Sequence, residues 1–169
     1  MSLQGSRALP DQQNWKDLGL PDIRDIDPRL LTSAVRELPG ASSLNAAWEQ
    51  VANGFGLDPG HDAVLIETPY APILVKREHL RHTVEKRSNA RERFTEFARD
   101  TLTKPLEIWR VSYDDASFRL SFIGAYNARY QMLVVIHVEH GNVLWNFMNC
   151  EKKGLNKHRH GDLLYRRYR

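Results

Sequence analysis

The second half of the chain alternates apolar and polar residues in short runs separated by turn-forming pairs. The run Phe118–Phe122 reads F-R-L-S-F, the alternation of a strand that buries one face. Asp-Asp at 114–115 and His-Gly at 140–141 are typical of the turns between such runs. The third run is apolar on both faces at its middle, which predicts a central strand. The pattern therefore predicts an antiparallel meander with strands Leu106–Tyr113, Phe118–Tyr126, Tyr130–Glu139 and Asn142–Asn149.

The first half of the chain shows helical patterns, with one interruption by two short strands. Asp27 before Pro28 is a good helix start, and Pro39-Gly40 is a good stop. Ser43 and Ser88 are candidate caps of two further helices. Helices before a meander indicate an α+β fold. The remaining predicted elements are helices 28–38, 43–53 and 89–103, a charged segment 77–87 of helical spacing, strands 63–67 and 72–75, a short helix or turn at 151–157 and an extended end at 163–165.

Composition narrows the class of protein more than its function. The chain has 169 residues, enough for one compact domain, and its longest apolar run is five residues, Met132–Ile136. No segment is long enough to span a bilayer, so we expect no membrane partner. A single cysteine, Cys150, excludes an internal disulfide framework. We therefore expect a reducing location, the host cell cytoplasm.

Charge is distributed unevenly along the chain. Residues 1–62 carry five Lys/Arg against nine Asp/Glu, a net charge of −4. Residues 63–169 carry nineteen Lys/Arg against twelve Asp/Glu, a net charge of +7. This division predicts an acidic helical leader or linker at 1–62 and a separate basic domain at 63–169. A basic domain favours a polyanionic partner, although a solvated basic tail without a partner fits equally well.

The basic domain offers the residue types that cleave RNA without a metal. That reaction needs a base for the 2′-hydroxyl, a cation for the phosphorane and an acid for the leaving 5′-oxygen, roles that suit histidine and arginine. A purely structural alternative stays open, in which the arginines pair with nearby acids and the aromatic residues belong to the core. His79 and His82 form either a metal site or an ordinary polar face of a helix. Aromatic candidates for stacking a base are Tyr113, Tyr126 and Trp145.

A succession of motifs resembles a known family of nucleases. The run HLRHTVEKR at 79–87 precedes an amphipathic helix at 94–102 and the run PLEIWR at 105–110. LVVI at 133–136, VLWNF at 143–147 and LNKHRHGDLLY at 155–165 continue the order. Over residues 63–166 this succession resembles the phage-type branch of the barnase/EndoU/colicin/RelE-like nucleases, known as the BECR fold.

The resemblance implies a fold, an activity and a set of residues. The fold would be helices packed on one face of a four- to five-stranded antiparallel meander sheet, with the leader outside it. The activity would be RNA cleavage without metal or other cofactor. His82 would be the base or acid, Arg110 and Arg159 the phosphate and transition-state stabilisers, and Tyr165 a further catalytic residue. The implied substrate-binding set is Asn146, Lys157, Arg119 and Arg166.

Two hypotheses of different classes follow. The first is a metal-independent endoribonuclease domain of phage or toxin origin, acting on RNA, tRNA included, with an immunity protein or phage head proteins as its partners. The second is a non-catalytic nucleic-acid-binding or assembly module of a phage head-morphogenesis protein. A nucleotide-dependent transferase is disfavoured because the sequence has no phosphate-cradling glycine-rich loop.

Overall fold

A seven-stranded sheet organises the protein, whose computed structural model describes residues 5–169; the first four residues of the predicted leader lie outside the described residues. The strand order is β1-β2-β6-β5-β4-β3-β7, so β5 is central, as predicted. The strands are β1 (Ala63–Ile66), β2 (Ile73–Lys76), β3 (Glu107–Ser112), β4 (Phe118–Gly124), β5 (Gln131–Val138), β6 (Asn142–Cys150) and β7 (Asp162–Arg166).

The predicted four- to five-stranded antiparallel meander is wrong in size and in kind. Strands β3 to β6 do form the meander, with antiparallel pairing throughout. The β1–β2 hairpin joins them through a parallel contact, Leu74 with Val143, and β7 pairs antiparallel with β3. The sheet is therefore mixed. Local alternation indicates that a segment is a strand, but it does not indicate which distant strand it pairs with.

The helices agree with the prediction with two exceptions: one predicted helix is absent and another begins later than predicted. They are α1 (Leu44–Gly54), α2 (Arg77–Val84), α3 (Thr95–Thr103) and a one-turn α4 (Lys152–Leu155). Ser43 caps α1 by accepting a hydrogen bond from the backbone N–H of Ala46. The predicted helix 28–38 is wrong. Only the 3₁₀ turn Pro28–Leu30 forms there, because Thr32 pairs in an extended conformation with Tyr126. The predicted helix 89–103 begins only at 95, after two 3₁₀ turns.

Both faces of the sheet are covered, whereas the prediction had helices on one face only. On the helix face, α1, α2 and α3 pack on the main core, which includes Phe122, Val134 and Phe147. On the opposite side, the leader face, residues 15–31 and α4 cover Trp109 and Ile123. The division at residue 62 is a division of charge: α1 lies before it, yet buries its apolar side chains in the same main core.

A buried ion pair ties the leader to the sheet. Glu107 of β3 and Arg159 are both fully buried, with Nε to Oε1 and Nη2 to Oε2 distances of 2.7 Å each. Trp109 Nε1 and the Tyr168 hydroxyl also donate to the Glu107 carboxylate. Arg159 additionally donates to the carbonyl of Pro21 in the leader, at 2.8 Å. The leader face is therefore held by a bidentate, desolvated interaction as well as by apolar packing.

Gly161 permits β7 to approach β3, which predicts a specific sensitivity. Its φ is +104°, and a Cβ there would lie 2.1 Å from the backbone oxygen of Arg110. Gly60 has a similar φ of +89° but open space around its Cβ position. We expect Gly161→Ala to lower the free energy of unfolding by about 1–3 kcal/mol more than Gly60→Ala, because overpacking adds to the same backbone strain. Urea denaturation of both variants measures the difference; equal losses would contradict it.

Candidate nuclease site

Helix α2 presents two imidazoles to the edge of the meander. Its apolar residues Leu80 and Val84 are buried in the main core, so the residues at 79 and 82 lie at the border of the helix face. Both rings contact the indole of Trp145 on β6, with centroid distances of 5.6 Å for His79 and 5.1 Å for His82. His82 Nδ1 lies 3.4 Å from Oε2 of Glu85, one turn later on the same helix.

An arginine reaches the same strand from a separate turn. Ala90, with φ of +43°, separates two 3₁₀ turns that follow α2, and Arg91 begins the second of them, Arg91–Phe94. Arg91 Nη1 donates to Oδ1 of Asn146, the residue after Trp145, at 3.2 Å. We call His79, His82, Arg91, Trp145 and Asn146 the α2–β6 cluster.

The turn that carries Arg91 is held by a buried carboxylate. Glu92 is fully buried and accepts two hydrogen bonds from the guanidinium of Arg87, at 2.8 and 2.6 Å. It also accepts the backbone N–H of Ala41, which anchors the turn to the segment before α1. Arg91 is therefore positioned by its neighbour in sequence, which is itself clamped from both sides.

Burial lowers the pKa of two members of the cluster. Desolvation lowers the pKa of His79 below its ordinary 6.5, and Glu78 opposes this shift only in part. Nδ1 of His79 is buried and has no hydrogen-bond partner within residues 5–169. Desolvation also lowers the pKa of the Arg91 guanidinium, which has no carboxylate within 4 Å among the described residues. Among the described residues, the half-buried Arg91 is hydrogen-bonded only to a neutral amide, so its positive charge is not compensated locally.

Three of the predicted site residues lie away from this cluster at the β3–β7 edge. Arg110 shares the helix face and donates to Asp162 at 2.9 Å, with its guanidinium over the Phe118 ring. The β3 to β6 pairing puts it three strands from Leu144, roughly 14 Å at ordinary strand spacing. Tyr165 is half-buried on β7, and Arg166 is exposed beside Tyr168. One phosphate does not bridge this edge and His82.

The remaining predicted residues lie on the leader face. The assignment of Arg159 to a phosphate is not compatible with this structure, since its side chain is fully buried and paired with Glu107. Arg119 stacks on Tyr113, with Cζ 4.0 Å from the ring centroid. Lys157 is exposed and lines a separate cleft. Of the predicted set, the structure brings together His82 and Asn146.

Neither Tyr126, predicted to stack a base, nor the half-buried Cys150 offers an available reactive group. Tyr126 is in the main core, and its hydroxyl bonds with Thr101 and Asp100, so it does not offer a stacking surface. Burial raises the pKa of the Cys150 thiol to about 11, which disfavours the thiolate that nucleophilic attack requires.

Comparison with known families decides the class of this domain. The model of the family described as phage Barnase-EndoU-ColicinE5/D-RelE-like nuclease 2 matches residues 50–166, more than half of the chain. The chain belongs to this family. The resemblance predicted from the motif succession is thereby confirmed, and the match extends thirteen residues further toward the N-terminus, into α1. No curated protein and no solved structure matches the chain.

The matched nuclease domain contains the whole α2–β6 cluster and the β3–β7 edge. None of the described helices, within residues 5–169, is long and apolar enough to cross a membrane. In the same residues, no three His, Cys, Asp or Glu side chains group as they would around a metal ion.

Arg91 is the residue that the sequence analysis missed. The predicted helix 89–103 included Arg91 without giving it a role, whereas the structure places it in a 3₁₀ turn from which it bonds Asn146 of β6. One signal was available: no acidic residue lies three or four positions from Arg91, whereas Arg81 has Glu85 at i+4 and pairs with it.

The Glu92–Arg87 pair of the nuclease domain predicts an acid-sensitive contribution to stability. Burial raises the pKa of Glu92, but the Arg87 and Ala41 hydrogen bonds outweigh it and leave the pKa below its ordinary 4.5. A carboxyl whose pKa is lower in the folded state stabilises it fully above about pH 4.5 and progressively less as pH falls below that value.

We therefore expect wild type to exceed Glu92→Gln in free energy of unfolding by about 2 kcal/mol at pH 7, and by less as the pH falls below 4.5. Urea titrations at several pH values measure this difference. Glu96→Gln, which changes an exposed partner of Arg36, is the matched control and should show a small, nearly constant difference. A Glu92→Gln deficit that grows in acid would contradict the assignment.

Proposed function

We propose that this nuclease domain is a metal-independent endoribonuclease that cleaves RNA at the α2–β6 cluster by attack of the 2′-hydroxyl on the adjacent phosphorus. The observation that carries the proposal is the convergence of two imidazoles and an arginine lacking a carboxylate partner on the indole of Trp145 and the amide of Asn146. These are the base, acid and cation that the reaction requires.

His82 serves as the general base. Its Nδ1 faces the Glu85 carboxylate, which favours the tautomer with the proton on Nδ1 and leaves Nε2 to accept a proton. Its side chain is 43% exposed, so a ribose hydroxyl has access to it. The 2′-oxygen, having given its proton to Nε2, forms a bond to phosphorus, and the bond from phosphorus to the 5′-oxygen breaks.

Arg91 stabilises the charge that develops on the phosphorane oxygens. Its partner among the described residues is the neutral Asn146 side chain, so its charge is not cancelled by a local carboxylate. In a partly desolvated position the same charge acts more strongly than in water. Asn146 thereby positions the guanidinium, which departs from its predicted role of contacting substrate directly.

His79 supplies the proton for the departing 5′-oxygen. It contacts the same indole as His82, so both rings are held beside one reacting centre. Burial lowers its pKa below the ordinary 6.5, so its protonated form is a stronger acid than an ordinary imidazolium. The products are a 2′,3′-cyclic phosphate and a free 5′-hydroxyl. His82 then releases its proton to solvent and His79 takes one up, which restores the starting state of the site.

The test uses a single-stranded oligoribonucleotide and its deoxy counterpart, with a metal chelator present throughout. We expect cleavage of the ribonucleotide to a cyclic phosphate, no cleavage of the deoxy strand, and a loss of about 10²–10⁴-fold in rate for His82→Ala. His61→Ala, which removes an exposed histidine before β1, is the matched control. Activity that requires added Mg²⁺, or that survives in His82→Ala, would contradict the proposal.

The same assay separates the catalytic proposal from the assembly module. Salt-sensitive binding of RNA by wild type, with no product after long incubation, would favour a non-catalytic domain that assembles with phage head proteins. Cleavage together with arrested growth of expressing cells would instead support a toxin role, for which an immunity protein is the expected partner.

A further inference from the structure

The leader face carries a cleft on the opposite side of the sheet from the α2–β6 cluster. It has a volume of about 540 Å³ and lies between the leader and the segment from α4 to His160. Its lining combines charged, amide and aromatic side chains, among them Lys16, Trp15, Asn156, Lys153 and Lys157. The nuclease chemistry proposed above uses none of them.

The charge of the cleft is positive after pairing is taken into account. Lys16, Lys153 and Lys157 are exposed, and no described carboxylate lies within 4 Å of their amines. The four residues outside the description contain no acidic side chain. Of the two acidic residues in the lining, Asp22 is neutralised by Arg24 and also accepts a bond from Asn156. Asp11 is the other, so the lysines exceed the uncompensated carboxylates.

Hydrogen bonds join the two walls of the cleft, which distinguishes it from an unpaired basic tail. Asn156 Oδ1 accepts from the backbone of Ile23 at 3.1 Å and from Arg159 at 3.0 Å. The backbone N–H of Trp15 donates to the carbonyl of Arg159 at 3.0 Å. The leader and the α4 segment are thus hydrogen-bonded to each other around the opening. Their conformational entropy is lost when the protein folds, so binding of a ligand does not have to order them.

We propose that this cleft is a second anion site of the protein, which takes a phosphate-bearing ligand between the leader and α4. Three lysines without carboxylate partners at the mouth of a cleft of this volume suit a phosphate group with an attached nucleoside. The phosphate comes either from an RNA strand or from a free nucleotide. The site does not depend on the nuclease proposal, since it shares no residue with the α2–β6 cluster.

The experiment measures binding in the full chain carrying His82→Ala, so that turnover does not consume the probe. The probes are a fluorescent single-stranded oligoribonucleotide, AMP and inorganic phosphate. Lys157→Glu is compared with Lys104→Glu, an equal charge change at an exposed lysine outside the cleft lining. We expect Lys157→Glu to weaken binding by about tenfold and Lys104→Glu by less than about twofold.

The probes identify the source of the phosphate. Loss of AMP binding in Lys157→Glu assigns the cleft to a nucleotide; loss of oligonucleotide binding alone, with a salt slope reduced by about 1, assigns it to an RNA strand. Equal effects of both lysine variants on every probe would overturn the site. Normal cleavage by Lys157→Glu alongside lost binding supports the cleft while leaving the catalytic proposal intact, and failure of cleavage in wild type bears on that proposal alone.

Discussion

Replacing Glu107 with leucine lowers the free energy of unfolding by about 3–5 kcal/mol, because it leaves the Arg159 guanidinium buried without its counter-charge. Arg159 is fully enclosed, so water does not replace the lost carboxylate. Trp109 Nε1 and the Tyr168 hydroxyl lose their acceptor at the same time. Chemical denaturation followed by fluorescence and by far-UV circular dichroism measures the loss.

Three further variants keep this prediction testable if Glu107→Leu does not fold. Glu107→Gln retains an acceptor and should lose less than Glu107→Leu. The double variant Glu107→Leu/Arg159→Leu should be more stable than Glu107→Leu alone, since no unpaired charge is buried. Glu151→Ala is the exposed control and should change stability by less than about 0.5 kcal/mol. A double variant that is less stable than Glu107→Leu alone would show that the pair is not coupled.

Replacing Arg91 with alanine should lower the kcat of RNA cleavage by about 10²–10³-fold, with KM changing much less. The proposed role of Arg91 is confined to the transition state, and this split is its signature. Arg91→Lys keeps the charge but loses the planar fork, so we expect an intermediate rate. Steady-state kinetics on the oligoribonucleotide provide both constants.

Two comparisons separate this role from a structural one. Asn146→Asp retains the shape of the side chain and gives Arg91 a carboxylate partner, so the rate should fall while the denaturation midpoint changes little. Arg36→Ala, at an exposed arginine paired with Glu96, should cleave at the wild-type rate. A wild-type kcat in Arg91→Ala would remove this residue from the site, and an equal fall in Arg36→Ala would point to a general effect of charge.

Local pattern accounted for the elements of this fold but not for their assembly. Alternation in 118–122 and the apolar run 132–136 predicted β4 and β5, and Ser43 predicted the start of α1. The parallel contact of Leu74 with Val143 joins segments far apart in the chain, and neither segment carries a local mark of it. The helix predicted over 28–38 failed for the same reason: pairing at Thr32 outweighed its propensity.

Some residues of the candidate site were predictable from the sequence, and others were not. His82 and Asn146 were predicted and lie together, linked through Trp145 and Arg91. Arg159 resembled a phosphate ligand in sequence, but a basic residue in a basic tail carries no mark of burial. Its partner Glu107 is fifty-two positions away, and the pairing becomes visible only when β3 and the C-terminal segment are folded together.

The α+β class, the bounds of most strands, the division of charge and the nuclease family follow from residue order and local periodicity, and all four were predictable before folding was considered. Which cations are neutralised by a carboxylate and which are not depends instead on contacts that form only in the folded chain. Arg91 and Arg159 are both arginines of the basic part, yet one faces a neutral amide and the other a buried carboxylate. That difference is one of desolvation and Coulomb energy between distant segments, which exist as neighbours only in the folded chain.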